Sequence, residues 1–299
     1  MSPLSRCKEV IRYPVILGIA LLAVAVTIAW WAGKDISPLF ANAEIRRGQV
    51  WRLVTSILPH TDFLHLAFNL YWFWIFGNAI ERVYGHFRTL LLVLLLAFGS
   101  SSFEFALSYG GVGLSGVGYG LFGLLYVLSK HDDRFKEYIH QKTVNLFLGW
   151  FVFCVFTTVT HIFNVGDVAH AAGAAFGWIL GYALVLPRGR VPIVTGVAAL
   201  ILFGFAASTI WRPHLNLASK GGYDEGAWGY DALLADQNQE AIRWLRDALI
   251  YQPRMASYWF NLGLAYEREN NPAAQAAYRR AHDLEPSNKK YADAIATRQ

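Results

Sequence analysis

Three stretches of the chain carry side chains suited to acyl-transfer chemistry, and each stands at the start of an apolar segment. Gly113-Leu114-Ser115-Gly116 opens one, and Asp167-Val168-Ala169-His170 opens another. A third begins at His60 and carries His65 and Asn69, whose spacing of four puts them on one helix face. A histidine within reach of a serine hydroxyl takes its proton as the oxygen attacks a carbonyl carbon. The oxyanion that forms needs hydrogen-bond donors already in place. The N–H groups at the start of the Ser115 helix, at the positive end of its dipole, are the expected backbone donors, with His65 and Asn69 as side-chain donors. Asp167 is read as a cap on the His170 helix. Ser115 and His170 therefore read as a dyad without a carboxylate partner.

The elements that must hold these residues are membrane helices. Of the 299 residues, 55% are hydrophobic, above the roughly 45–50% of soluble domains. Charges are absent from long stretches such as 13–31 and 90–99 and crowd into the last 80 residues. Runs near bilayer-spanning length are expected at 13–33, 63–82, 88–108, 115–129, 144–163, 167–187 and 191–211. The fourth is short and must be surrounded by other helices rather than lipid. Segments on the N-terminal side of the membrane hold eleven Lys and Arg residues, starting with Arg6, Lys8 and Arg12, against four on the other side. That bias places the N-terminus in the cytoplasm and, with seven spans, the C-terminal part outside. His65, Ser115 and His170 then share one depth near the outer face. Gly116, Gly120 and Gly123 on one helix, and Gly173, Gly177 and Gly181 on the other, form small-residue surfaces that allow close helix approach.

Residues 220–299 show helical periodicity and a weak repeat. Ala241, Leu245, Ala248 and Pro253 recur as Ala274, Tyr278, Ala281 and Pro286, a pattern that resembles the tetratricopeptide repeat. The expected organisation is a transmembrane domain over 1–212, with a core of about 10–190 and an extra helix at 191–211, then a soluble helical-repeat domain over 220–299. Cys7 and Cys154 form no disulfide framework. No His-Glu-x-x-His pattern or carboxylate ligand set appears, so neither metal nor cofactor is expected. The net charge of +5 is distributed as membrane anchors rather than as a nucleic-acid surface.

Taken together, these motifs resemble the rhomboid intramembrane serine proteases over roughly residues 10–190. The Gly-x-Ser-Gly motif stands at 113–116, His-x-x-x-Asn at His65 to Asn69 with His60 five residues earlier, and His with spaced glycines at His170, Gly173 and Gly177. Trp51-Arg52 matches a Trp-Arg pair of the first outer loop, and Tyr119 matches the aromatic that packs on the base. The resemblance implies an all-α six-helix core, here with a seventh transmembrane helix, and Ser115 as nucleophile with His170 as base. Gly113, Gly116, Tyr119, His60, Trp51 and Arg52 support the site. Expected partners are transmembrane protein substrates and the lipid bilayer, of a bacterial inner membrane, with the tail recruiting substrate or a protein partner. The alternative is a non-proteolytic relative that binds transmembrane helices for quality control or trafficking.

Overall fold

A computed structural model describes residues 12–160, 162, 165–186, 190–217 and 221–296. The N-terminal charges Arg6 and Lys8, together with Cys7 and Arg188, lie outside these residues. The described chain is helical, with no β-strand among the described residues. It forms two compact units, residues 1–211 and 212–299.

Helices occupy each of the seven apolar segments of the first unit. They are α1 (Pro14–Trp31), α3 (Phe63–Tyr84), α4 (His86–Leu107), α5 (Ser115–His131), α6 (Gln141–Val159), α7 (Asp167–Val185) and α8 (Arg190–Thr209), with a short α2 (Arg52–Thr55) in the first loop. Four of them, α1, α4, α6 and α7, are long and apolar enough to cross a bilayer. α3 and α5 fall short for local reasons. α3 carries His65, Asn69, Asn78, Glu81 and Arg82 along its length. α5 has only 17 residues. In α8 the stretch Val194–Thr209 is apolar.

The centre of the unit is α5. Thirteen of its residues are buried, from Gly116 to Ser129, and it packs most extensively on α7, with α3 and α4 also against it. Cβ atoms built at Gly173 and Gly177 of α7 would overlap the carbonyl oxygens of Gly116 and Gly120 on α5, and one at Gly123 would overlap that of Ala174. The two backbones therefore touch where side chains would ordinarily separate them. α6, by contrast, buries only Phe147, Cys154 and Thr157 and exposes Leu148, Val152 and Phe156. Such exposed apolar faces suit lipid contact.

Two helix starts are satisfied by carboxylates from elsewhere in the chain. Glu81, 2% exposed, accepts the N–H groups of Val15 and Ile16 at the head of α1, each at 3.0 Å. Glu104, 5% exposed, accepts the Ala169 N–H in the first turn of α7 at 2.8 Å. Amides at a helix start have no intrahelical acceptor, and a buried amide left unmade is costly.

The second unit contains α9 (Arg212–Leu215), α10 (Tyr223–Leu234), α11 (Asn238–Tyr251), α12 (Ala256–Arg268), α13 (Ala274–Leu284) and α14 (Lys289–Ala296). From α10 onward each helix packs on the next. Leu245 of α11 and Tyr278 of α13 are fully buried and fill corresponding places: the first sits over Gly229 and the second over Gly263.

The α5–α7 contact predicts a sharp difference between two glycines. Gly177→Ala should destabilise the protein by about 1–3 kcal/mol, because a backbone oxygen opposes the new methyl. Gly196→Ala on α8, which meets nothing within 4 Å, should be neutral or slightly stabilising. Thermal unfolding of the two variants in detergent, followed side by side, checks this; equal midpoints would contradict the packing.

Candidate active site

Ser115 is the first residue of α5, half-buried, and the preceding loop is tightly specified. Gly113 has φ +105°, a conformation that side chains disfavour. A Cβ there would also fall 2.8 Å from the His65 ring and 3.3 Å from Asn69 Nδ2. Gly113 thus meets both a conformational and a steric demand, and it brings the loop backbone directly against His65 and Asn69. The Gly113 N–H donates to the Ser56 carbonyl at 3.0 Å. The Leu114 N–H donates to His60 Nε2 at 3.2 Å.

That last bond assigns the state of His60. With Nε2 accepting, the ring proton belongs on Nδ1, which lies 3.0 Å from the Leu58 carbonyl. His60 is fully buried and ties the loop after α2 to the residue before Ser115. Its ring meets that of His65 edge-on, with centroids 4.9 Å apart.

α3 begins where Asp62 caps it, its carboxylate accepting the His65 N–H at 2.9 Å. This bond holds the Asp62 carboxyl below the usual carboxylate range. It also fixes the first turn, from which His65 and, one turn on, Asn69 reach toward the Gly113 loop. Asn69 is 7% exposed, and its Nδ2 donor is buried without a partner. A buried amide donor beside the start of the Ser115 helix lacks only an acceptor.

His170 lies in the first turn of α7 and is 2% exposed. Its ring stacks on Tyr119 of α5, with centroids 4.5 Å apart and planes 22° from parallel. The Tyr119 hydroxyl donates to the Phe147 carbonyl at 3.0 Å, which fixes the ring under the imidazole. The Gly116–Gly173 backbone contact sits immediately beside both Ser115 and His170, one residue after the serine and one turn after the histidine. One helix crossing therefore carries both residues.

Asp167 does not do what its position suggests. The N-cap of α7 is Gly166, with no side-chain cap; Asp167 is already inside the helix. The capping bond comes instead from Glu104, 65 positions away in sequence. Tertiary capping of this kind leaves no local sequence signal beyond the presence of an intramembrane carboxylate. The Oδ1 of Asp167 and the Nδ1 of His170 are both buried without partners. Cys154 of α6, Asp167 and His170 present ligating atoms within 4.8 Å of one another.

The first-loop pair divides. Trp51 is 53% exposed, whereas Arg52 is 6% exposed and internally bonded. Its guanidinium donates to Gln49 Oε1 at 2.6 and 2.9 Å and to the Ser37 carbonyl at 2.6 Å. Arg52 thus organises the loop that precedes α2.

The chain is similar to proteins of one known family. Residues 47–187 match the Rhomboid domain family. The chain is 27% identical to the rhomboid protease GluP of Bacillus subtilis, over 77% of this chain and 51% of the relative. It is 30% identical to the rhomboid protease GlpG of Haemophilus influenzae over 46% of this chain and 72% of the relative. With the putative rhomboid protease YdcA of B. subtilis it shares 33% identity over 50% of this chain and 74% of the relative. The matched region spans about half the length of GluP. Because the Ser115 loop, the α3 face and the His170 helix all lie inside the matched region, and two relatives are covered over more than two thirds of their length, this chain belongs to the rhomboid family.

Proposed function

We propose that this protein is an intramembrane serine endopeptidase, with Ser115 as nucleophile and His170 as general base, acting on transmembrane segments of other proteins near the outer face of the membrane. The observation that carries the reading is the α5–α7 crossing at Gly116 and Gly173, which heads both helices with the two residues acyl transfer requires. The names of the relatives support the same activity.

In the proposed reaction the Ser115 hydroxyl gives its proton to His170 as Oγ bonds the substrate carbonyl carbon. The negative charge that develops on the carbonyl oxygen is met by the Asn69 amide, by His65 and by first-turn N–H groups of α5. His170 returns the proton to the leaving nitrogen as the peptide C–N bond breaks. Water then releases the acyl group by the same proton transfers in reverse roles. Gly113, Gly116, Tyr119, His60 and Arg52 act by holding this geometry. Trp51, exposed on the first loop, is assigned to the bilayer interface.

The seven helices of the first unit are proposed to span the membrane from a cytoplasmic N-terminus, as the Lys and Arg bias suggests. The polar α3 and the short α5 would be sheltered by their neighbours. The second unit then lies outside the cytoplasm. Its successive helix pairs and the matching Gly229–Leu245 and Gly263–Tyr278 contacts support a tetratricopeptide-like module for a substrate or protein partner.

Ser115→Ala should abolish cleavage of a reporter transmembrane substrate while the protein remains folded in membranes; undiminished cleavage would remove the assignment. Asn69→Ala should keep the fold and lower kcat, by up to the roughly 10²–10³-fold expected for an essential oxyanion donor; a wild-type kcat would remove Asn69 from the site. For topology, a reporter fused after residue 299 should be active only outside the cytoplasm. Cytoplasmic activity of that fusion would reverse the orientation.

A further inference from the structure

We propose that the first unit holds a binding site for an anionic phospholipid at the far end of α5 from Ser115, where Arg12, Arg82 and Arg134 take up the lipid phosphate. The site is separate from the serine chemistry and does not depend on it. Three observations carry it.

First, the three guanidiniums line one cavity. Its volume is about 630 Å³, and Arg12, Arg82, Val83, Asp133, Arg134 and Glu137 bound it. Arg12 stands two residues before α1, and Arg82 lies in the last turn of α3. Arg134 belongs to a 3₁₀ turn (Asp133–Phe135) that follows α5. Chain segments far apart in sequence therefore bring their cations to one place, at the end of the bundle where α1 begins and α3 and α5 finish. The volume falls in the roughly 300–1,000 Å³ of small-ligand sites.

Second, the donors there outnumber the acceptors that meet them. Both acidic lining residues are already matched: Glu137 accepts from Arg82 at 3.0 Å, and Asp133 meets Lys136 at 2.6 Å. Arg134 is matched by Asp132 through Nε and Nη2. Arg12 makes no ion pair or hydrogen bond to any described residue. It is the surplus charge of the cavity. A guanidinium carries five N–H donors, and Arg82 uses only Nη2 on Glu137 while Arg134 leaves Nη1 unused. The pairs stand at the surface, where such contacts are weak enough to be shared with an incoming phosphate.

Third, an apolar path for acyl chains begins beside this cavity. α1 contains no charged residue and buries only Ile16, Ala23 and Thr27. Leu21, Leu22 and Ile28 are exposed along it. A lipid that covers this face lays its chains along α1 and leaves its headgroup at one end of the helix, where Arg12 stands.

The class of ligand follows from the charges. Three guanidiniums repel a cation and suit a phosphodiester, which accepts bidentate hydrogen bonds. Basic pockets at the ends of membrane helices meet that group in phospholipid headgroups. A zwitterionic lipid brings an ammonium that cancels the surplus of Arg12 and finds no open carboxylate. Glu137 and Asp133 are matched, and Glu81 is taken by the α1 amides and His86. The ligand is therefore a lipid of net negative charge, such as phosphatidylglycerol.

The test is native mass spectrometry of the full-length protein in neutral detergent, titrated with phosphatidylglycerol and separately with phosphatidylcholine. Wild type should retain one phosphatidylglycerol more tightly than phosphatidylcholine. Arg12→Gln and Arg134→Gln should each weaken that binding about fivefold, the cost of one basic contact at a membrane surface. Lys130→Gln removes a charge at the same end of the bundle but outside the cavity, and should leave binding unchanged. Inorganic phosphate in large excess should not displace the lipid. Thermal unfolding without lipid, run in parallel, should give all three variants the wild-type midpoint; if one arginine variant is destabilised, the other carries the test. Equal binding of the two lipids overturns the proposal, and so does wild-type binding in the arginine variants. A loss in Lys130→Gln as large as in Arg12→Gln overturns it too, since the attraction would then be that of the whole charged surface. Displacement by inorganic phosphate would make the cavity a site for the free ion and remove the lipid. Cleavage is not measured, so the protease reading stands or falls separately.

Discussion

The structure depends on two helix backbones touching. Where α5 crosses α7, the carbonyls of Gly116 and Gly120 fill the space that side chains at 173 and 177 would need. In a bilayer, helices gain little from hiding apolar surface from one another, and close packing of small residues supplies the attraction instead. That contact is also a ruler. Ser115 precedes Gly116 by one residue and His170 precedes Gly173 by one turn, so the separation of their side chains is inherited from a backbone contact that cannot slide without a clash or open without losing its packing. Site geometry of this kind tolerates less adjustment than geometry set by long side chains.

A close crossing has a cost at the helix ends. Once α5 and α7 are packed inside the bundle, the first amides of α7 lose access to water, and Gly166 brings no side chain to replace it. Glu104 fills that need from α4. The same device recurs at α1, whose first amides are taken by Glu81 of α3, with His86 against the same carboxylate at 2.6 Å. These buried carboxylates are therefore structural by position. The need for a cap explains why they are tolerated where an isolated charge would be expensive.

Much of the site was legible from residue types and spacing. The glycine stripes, the four-residue step from His65 to Asn69, and the placement of Ser115 and His170 at helix starts are local patterns, and local patterns survive folding. What was hidden is what depends on distant partners. Nothing near residue 104 says that its carboxylate will meet Ala169, and nothing near His60 says that it will accept the Leu114 N–H. Asp167 shows the converse error: an aspartate at the start of a helix is ordinarily a cap, and the propensity is real, but a better-placed tertiary acceptor had taken the amides. The seven helices were also visible as apolar runs. Length and composition support bilayer crossing for four of them, because α3 and α5 carry the polar and short-helix features that an internal site imposes.

The loop before α5 shows why these features belong together. Gly113 adopts a backbone conformation that other residues resist, and its lack of a side chain lets the loop lie against His65 and Asn69. Ser56 and His60 then take the N–H groups of Gly113 and Leu114. With those two amides committed, the backbone donors still directed outward at this end are those of the first turn of α5, beginning at Ser115 itself. An unpaired amide from Asn69 stands beside them. Donors whose neighbours are locked need not reorganise when charge appears, and it is this lack of reorganisation that makes such a group stabilise a transition state more than water does. The buried histidine, the left-handed glycine and the orphaned asparagine are thus parts of one arrangement, in which fixing the loop is what leaves the right donors free.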